Sequence, residues 1–151
     1  MPLTDLLTPS SIRCDLEGGS KKRIIETASE LLSAAHPELD ATALFNGLHG
    51  RERLGSTGIG SGVAIPHCRL AECTEAVGMI LRTVEPIDFD AIDHKPVDLL
   101  FFLVVPEDGA EIHLKTLASI AELMGQPDVL QSLRTASGPE EMYKIIQQKS
   151  S

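Results

Sequence analysis

The chain has 151 residues, 42% of them hydrophobic and 23% charged, with 13 basic side chains against 22 acidic ones and a formal net charge of −9. That is ordinary globular composition and excludes a disordered, collagen-like or coiled-coil chain. Aromatic residues are only 3%, with no Trp; scarce stacking platforms and surplus negative charge together exclude a phosphate-tracking nucleic-acid binder.

In chain order, Met1 to Gly19 carry neither a basic n-region nor a long apolar stretch, so no signal peptide is expected. Ile12 to Leu16 read as a short strand. Gly18-Gly19-Ser20 break the chain, and Ser20 is placed to cap a helix with Ile24, Ile25, Ala28, Leu31, Leu32 and Ala35 at helical spacing. His36-Pro37 ends it, because the residue before proline avoids the α region. Asp40 caps a second predicted helix with Leu44, Phe45 and Leu48 on its buried face, and Gly47 and Gly50 weaken its far end. The glycine-rich stretch Gly55 to Gly62 follows, then apolar Val63 to Ile65, stopped by Pro66. Val77 to Val84 read as a strand. Val97 to Val105 are a near-continuous apolar run, the pattern of a central strand covered on both faces. Asp108 and Glu111 form a capping-box pattern before a helix with Leu114, Leu117, Ala118, Ala121 and Met124 on one face. Gly125-Gln126-Pro127 closes it, and short helices near Val129–Leu133 and Glu140–Ile146 finish the chain.

Strands interleave with helices and one strand looks doubly covered. The expected fold class is therefore α/β, a three-layer sandwich forming a single domain over residues 1–151; strand order is not fixed, and an α+β arrangement stays open. The longest apolar run, Leu99 to Pro106, is too short to span a bilayer, so no membrane insertion is expected. Three cysteines, Cys14, Cys68 and Cys73, are an odd number without framework spacing and fit reduced thiols in a cytoplasm.

The segment Arg51 to Leu70 holds the candidate chemistry. Gly55, Gly58, Gly60 and Gly62 allow positive φ and close backbone approach, so the loop is either an anion nest or a bulged hairpin. It matches neither a P-loop nor a dinucleotide fingerprint. His67 follows Ile65-Pro66 at a predicted strand end, where ligand crevices form in α/β sheets. Neutral imidazole there is a potential nucleophile; the alternative is a loop histidine without a task. Arg51 offers a planar fork for phosphate or carboxylate, or is a solvated helix-end arginine. His113 lies in the first turns of the capped helix, where an anion is favoured, or else donates to a nearby carbonyl. Cys68 and Cys73 with His67 lack a second ligand pair, so no metal is expected. Asp88, Asp90 and Asp93 read as turn residues, and Glu107, Asp108 and Glu111 as capping residues.

Gly55-Ser-Thr-Gly-Ile-Gly-Ser-Gly-Val-Ala-Ile-Pro-His67 resembles the phosphorylation-site signature of the mannitol/fructose-type IIA proteins of the bacterial phosphotransferase system. Arg51 within R-E-x-x-G-S-T-G and His113-Leu-Lys-Thr-Leu-Ala118 match further parts of the pattern. Phe89-Asp-Ala-Ile-Asp-His-Lys-Pro-Val-Asp-Leu-Leu-Phe101 is similar to the nitrogen-regulatory branch. The resemblance covers nearly the whole chain. Cys68 departs from it, standing where glycine or serine is usual, and puts an oxidisable thiol beside the site.

The resemblance implies a mixed β-sheet with helices on both faces. It implies that His67 accepts a phosphoryl group from an HPr-like phosphohistidine carrier, on the tele nitrogen, with Arg51 and His113 binding the phosphoryl oxygens and with no cofactor or metal. The residues by themselves do not say which nitrogen reacts. In the nitrogen branch, phosphorylation state controls contacts with potassium-transport and sensor-kinase proteins. Two other readings stand beside this one. One is a sugar-uptake IIA component that passes the phosphoryl group to a IIB domain. The other is a binding module whose glycine loop holds a nucleotide or anion while His67 stays inert.

Overall fold

The computed structural model describes residues 3–150; Met1, Pro2 and Ser151, at the ends of the expected unit, lie outside the described residues. Two 3₁₀ turns, Leu3–Leu6 and Pro9–Ser11, lead into β1, Ile12–Leu16. Gly18 then passes so close to a neighbouring strand that a Cβ there would stand 2.6 Å from Ile87 Cγ2. The Ser20 hydroxyl accepts from the Arg23 N–H and caps α1, Lys21–Ala35, which stops before Pro37 as expected. The Asp40 carboxylate accepts from the Ala43 N–H and caps α2, Ala41–Glu52.

α2 runs through both Gly47 and Gly50, the glycines at its far end. A Cβ at Gly47 would meet Cys68 Sγ at 3.0 Å, so the glycine lets the helix approach the sheet and packing outweighs its poor propensity.

The remaining strands are β2 Gly58–Gly60, β3 Val63–Ala64, β4 His67–Leu70, β5 Val77–Ile87 and β6 Val97–Pro106. Three helices complete the chain: α3 Ala110–Met124, α4 Pro127–Thr135 and α5 Pro139–Lys149. β5 outlasts its expected end at Val84. It carries Pro86 through an irregularity of the β5–β6 ladder between Arg82 and Ile87, where a missing N–H is tolerated.

The sheet is mixed, in the order β1-β5-β6-β3-β2, with β4 also on β6. β5 pairs antiparallel with β6, and β3 and β4 both pair parallel with it. Val63 faces Leu99 and His67 faces Leu103 with the same offset, so β3 and β4 are one strand interrupted at Ile65-Pro66. Across the break the Pro66 carbonyl still accepts from the Leu103 N–H at 3.0 Å.

β6 alternates between two cores. Leu99, Phe101, Leu103 and Val105 pack with side chains of α3, α4 and α5. Leu100, Phe102 and Val104 pack with those of α1 and α2. A continuous apolar strand is thus buried on both faces, and the three-layer α/β expectation holds.

The start of α3 departs from the sequence reading. Gly109, at φ +77°, precedes the helix, and no side chain caps it; Asp108 and Glu111 do not form the expected box. The buried face is Thr116, Ile120, Leu123 and Met124. Leu114, expected in the core, is 65% exposed, and Ala118 is also exposed. Ala110, Leu114 and Leu117 of the first turns of α3 line a cleft.

Candidate functional site

The interruption between β3 and β4 places His67 at the mouth of a cleft of about 340 Å³. Its walls come from four elements. The C-terminal half of α2 supplies Gly47 and Arg51, β4 supplies His67 and Cys68, β6 supplies Leu103 and Val105, and the first turn of α3 supplies Ala110 and His113. All three histidine and arginine side chains singled out in the sequence therefore line one cavity. His67 follows β3 and Ile65-Pro66 as expected, and it also begins β4.

His67 is half-buried, and its Nδ1 lies 2.7 Å from the Ile65 carbonyl oxygen. A carbonyl only accepts, so Nδ1 carries the proton and donates, leaving the lone pair on Nε2. Burial lowers the His67 pKa; the Arg51 charge lowers it further, while the Ile65 carbonyl and Glu52 work the other way. The net direction is downward from 6.5, so the ring is neutral and nucleophilic at pH 7.

Arg51 donates from Nη1 to the Gly55 carbonyl at 2.9 Å. Its other donors engage no group among the described residues. The bond anchors the fork at one corner and leaves the rest for an anionic ligand. His113 is held from the other side, with Nε2 2.7 Å from the Asp108 carbonyl oxygen. Nε2 is therefore the donor in that contact. To donate to an anion in the cleft, His113 must take a second proton or release Asp108.

The glycine loop is the bulged hairpin, not the nest. β2 and β3 pair antiparallel with a register shift between Gly58 and Gly60. Gly60, Ser61 and Gly62 take positive φ of 98°, 58° and 79° at the tip. Groups of the tip bond within the protein: the Ser61 N–H donates to Asp93 Oδ2 at 3.0 Å, and the Gly62 carbonyl accepts from the Asp98 and Leu99 N–H groups. Arg134 of α4 donates to the Ser61 carbonyl and pairs with Asp98 at 2.9 Å. No residue of β2 or the tip lines the His67 cleft. The aspartates are turn residues as read: the Asp90 and Lys95 N–H groups donate to the side chains of Asp88 and Asp93.

Cys68 is a second correction. It lies beside His67 as expected, yet it is buried, and desolvation pushes its thiol up to about 12. It therefore stays protonated, without the thiolate that oxidation needs. Cys73 is buried too, and its thiol donates to the Glu75 carbonyl. Among the described residues no group of three or more His, Cys, Asp and Glu is arranged to hold a metal ion.

The sequence reading missed a buried ionic network behind His67. Glu52, the last residue of α2, has a side chain only 2% exposed and pairs with Lys21 Nζ at 2.9 Å. Its carboxylate also accepts from the Thr57 N–H at 3.2 Å and from the Thr57 hydroxyl. The signal was present: Glu52 continues the Leu44, Leu48 row at four-residue spacing and so falls on the buried face of α2.

The family described as "Phosphoenolpyruvate-dependent sugar phosphotransferase system, EIIA 2" matches residues 5–149. A nitrogen regulatory protein of Pseudomonas aeruginosa is 46% identical over 144 residues, covering 95% of this chain and 94% of that protein. The crystal structure of nitrogen regulatory protein IIA-Ntr from Neisseria meningitidis superposes with a TM-score of 0.90 at 44% identity, covering 95% of this chain and 98% of that one. IIA mannitol from Escherichia coli shares the fold at a TM-score of 0.75 and 17% identity, covering 93% and 98% of the two chains. The cleft histidine, the interrupted strand that presents it and the match over nearly every described residue lead to one conclusion: the chain belongs to the EIIA type 2 family of the phosphoenolpyruvate-dependent sugar phosphotransferase system.

Proposed function

We propose that this protein is a regulatory phosphocarrier of a nitrogen-type phosphotransferase system, accepting a phosphoryl group on Nε2 of His67. The observation that carries this reading is the Nδ1 contact with the Ile65 carbonyl, which aims the lone pair of a neutral ring away from the backbone, in a cleft shared with Arg51 and His113. The donor is a phosphohistidine on an HPr-like carrier. The Nε2 lone pair forms the new N–P bond as the donor's N–P bond breaks, and the released electron pair returns to the donor imidazole. The His67 ring keeps its Nδ1 proton and becomes cationic, a charge the Ile65 carbonyl stabilises.

Phosphoryl transfer asks the protein mainly for positioning and charge neutralisation. The Arg51 fork supplies the second, as a ligand to the phosphoryl oxygens, His113 joins it once its Nε2–H leaves the Asp108 carbonyl, and we assign no metal or cofactor a part. Leu54 and Leu114, 85% and 65% exposed, rim the cleft and offer apolar contact to the docking carrier. With a net charge of −9 on this chain, the complementary carrier face is basic.

Phosphorylation adds ~1.5–2 negative charges on a hydroxyl residue, and a similar change at His67 alters which partners the cleft rim binds. The nitrogen regulatory name of the relatives supports a regulatory role, and the partners we assign to it are potassium-transport or sensor-kinase proteins. No helix among the described residues is long and apolar enough to cross a membrane, and we place the protein in the cytoplasm. The family match spans 5–149, and we treat residues 1–151 as one IIA unit. The word "sugar" in the family description favours a second reading, onward transfer to a IIB domain.

Incubation with phosphoenolpyruvate, enzyme I and an HPr-like carrier tests the proposal. Acid-labile, base-stable phosphate is expected on His67, and none on His67→Ala. Labelling that survives the substitution removes His67 from the reaction. Efficient transfer from the labelled protein to a IIB domain, followed by sugar phosphorylation, selects the second reading.

A further inference from the structure

A line of hydrogen bonds runs from the buried ion pair to the reactive ring. Lys21 Nζ meets Glu52 Oε2 at 2.9 Å, and Glu52 takes the N–H and hydroxyl of Thr57. The Thr57 carbonyl accepts from the Ile65 N–H at 3.0 Å. The Ile65 carbonyl accepts from His67 Nδ1 at 2.7 Å. Each link joins a residue to the next, so the position of the Ile65 peptide depends on where Thr57 is held.

Burying a charge pair is costly, and such pairs are weak evidence of stability alone. This one is embedded: the Lys21 ammonium lies 4.8 Å from the Phe89 ring centre and donates to the Phe89 carbonyl. Its location has a chemical consequence. Arg51 and Glu52 are adjacent at the end of α2 yet act on His67 with opposite sign. Arg51 lines the cleft, where phosphoryl oxygens would arrive. Glu52 is buried, and its bonds lead by way of Thr57 and Ile65 to the carbonyl at Nδ1. During attack the phosphoryl group carries negative charge and the ring gains positive charge, so the two residues match opposite ends of the reacting unit.

We infer that Glu52, held by Lys21 and acting through Thr57, is a positioning residue for phosphoryl transfer to His67: it fixes the Ile65 carbonyl that orients the ring and stabilises the cationic imidazole. The inference rests on the phosphoacceptor reading above. It gives Thr57 and Lys21 their own tasks, which neither the hairpin geometry nor the core requires.

The test uses Glu52→Gln, Thr57→Val and Thr57→Ser in the full chain, with phosphoryl uptake from the HPr-like carrier and ¹⁵N NMR of the His67 ring. Glu52→Gln is expected to slow uptake about ten-fold, less than the ~10²-fold that a 1 Å misplacement costs, with carrier affinity unchanged. Its His67 titration midpoint falls, because a charge that favours the protonated ring is gone. Thr57→Val is expected to give a mixture of His67 tautomers and slower uptake, and Thr57→Ser to restore the single Nδ1–H form. Should Glu52→Gln fail to fold, Thr57→Val decides, since it removes one hydroxyl and keeps the side-chain volume.

A structural role alone would lower the melting temperature and leave rate, tautomer and midpoint of the folded protein as in wild type. That result overturns the inference while uptake on His67 stands. Uptake that persists in His67→Ala overturns the phosphoacceptor reading instead, and the two failures are told apart.

Discussion

The segment Arg51–His67 has two parts that do different work. Its ends, Arg51 and His67, line the cleft. Its glycine-rich middle forms a hairpin whose tip is tied to Asp93, Asp98 and Arg134. Read as a string, the glycines draw the eye to phosphate binding. In three dimensions the loop is a hairpin whose tip bonds to other residues and does not line the cleft, whereas the flanking side chains do. The hairpin folds the chain back so that an arginine at a helix end and a histidine at a strand break share one cavity.

The comparison is broken if substitutions at the two parts have the same effect. Arg51→Ala is expected to have the larger one: a loss of about 10²–10³ in transfer rate, the scale of removing one donor from developing negative charge. Its thermal stability should change little, since the side-chain bond lost among the described residues is the exposed contact with the Gly55 carbonyl. Stopped-flow transfer and a thermal melt together check this, and a wild-type rate would remove Arg51 from the site.

Gly62→Ala should do the reverse. At φ +79° a Cβ would lie 2.4 Å from Arg134 Nη2 and 3.0 Å from Asp98 Oδ1. Holding a non-glycine residue there costs about 1–3 kcal/mol, and the Arg134–Asp98 pair must shift as well. Denaturant unfolding should show the loss, while the folded fraction transfers phosphate nearly as wild type does. A folded Gly62→Ala protein that cannot accept phosphate would return the hairpin tip to the site.

The smallest effect is in pH. Because burial and Arg51 lower the His67 pKa, uptake should stay level as pH falls through about 6.5, the ordinary histidine value, and decline only below it. Arg51→Ala should move the decline upward. Stability follows the same sign: the unfolded chain takes up a proton at His67 that the folded chain refuses. This contribution is present above the unfolded value and is lost as pH falls from there toward the folded one. A wild-type decline centred above 6.5 would contradict the assigned causes.

Much of the fold was legible because the local signals agreed with the packing. Ser20 and Asp40 cap helices as read, and the apolar run Val97 to Val105 is the doubly buried strand. The failures have physical causes. Asp108 looked like a cap, but Gly109 turns the chain into α3 by its positive φ, and Leu114 of its first turns faces the cleft, largely exposed. The packing reason for Gly47 was not legible, because its neighbour across space, Cys68, is not its neighbour in sequence. His67, Arg51 and His113 were legible through a long motif. Glu52 was not, since a glutamate at a helix end is usually solvated, and only its spacing from Leu48 places it inside. Cys68 looked reactive from its position beside His67, and burial makes it inert.

The most direct measurement is ¹⁵N–³¹P correlation NMR of the protein labelled through its HPr-like carrier. The expected result is one phosphorus coupled to Nε2 of His67, with the proton retained on Nδ1. Phosphorus coupled to Nδ1, or to any other histidine, would contradict the neutral, backbone-anchored ring on which the mechanism stands.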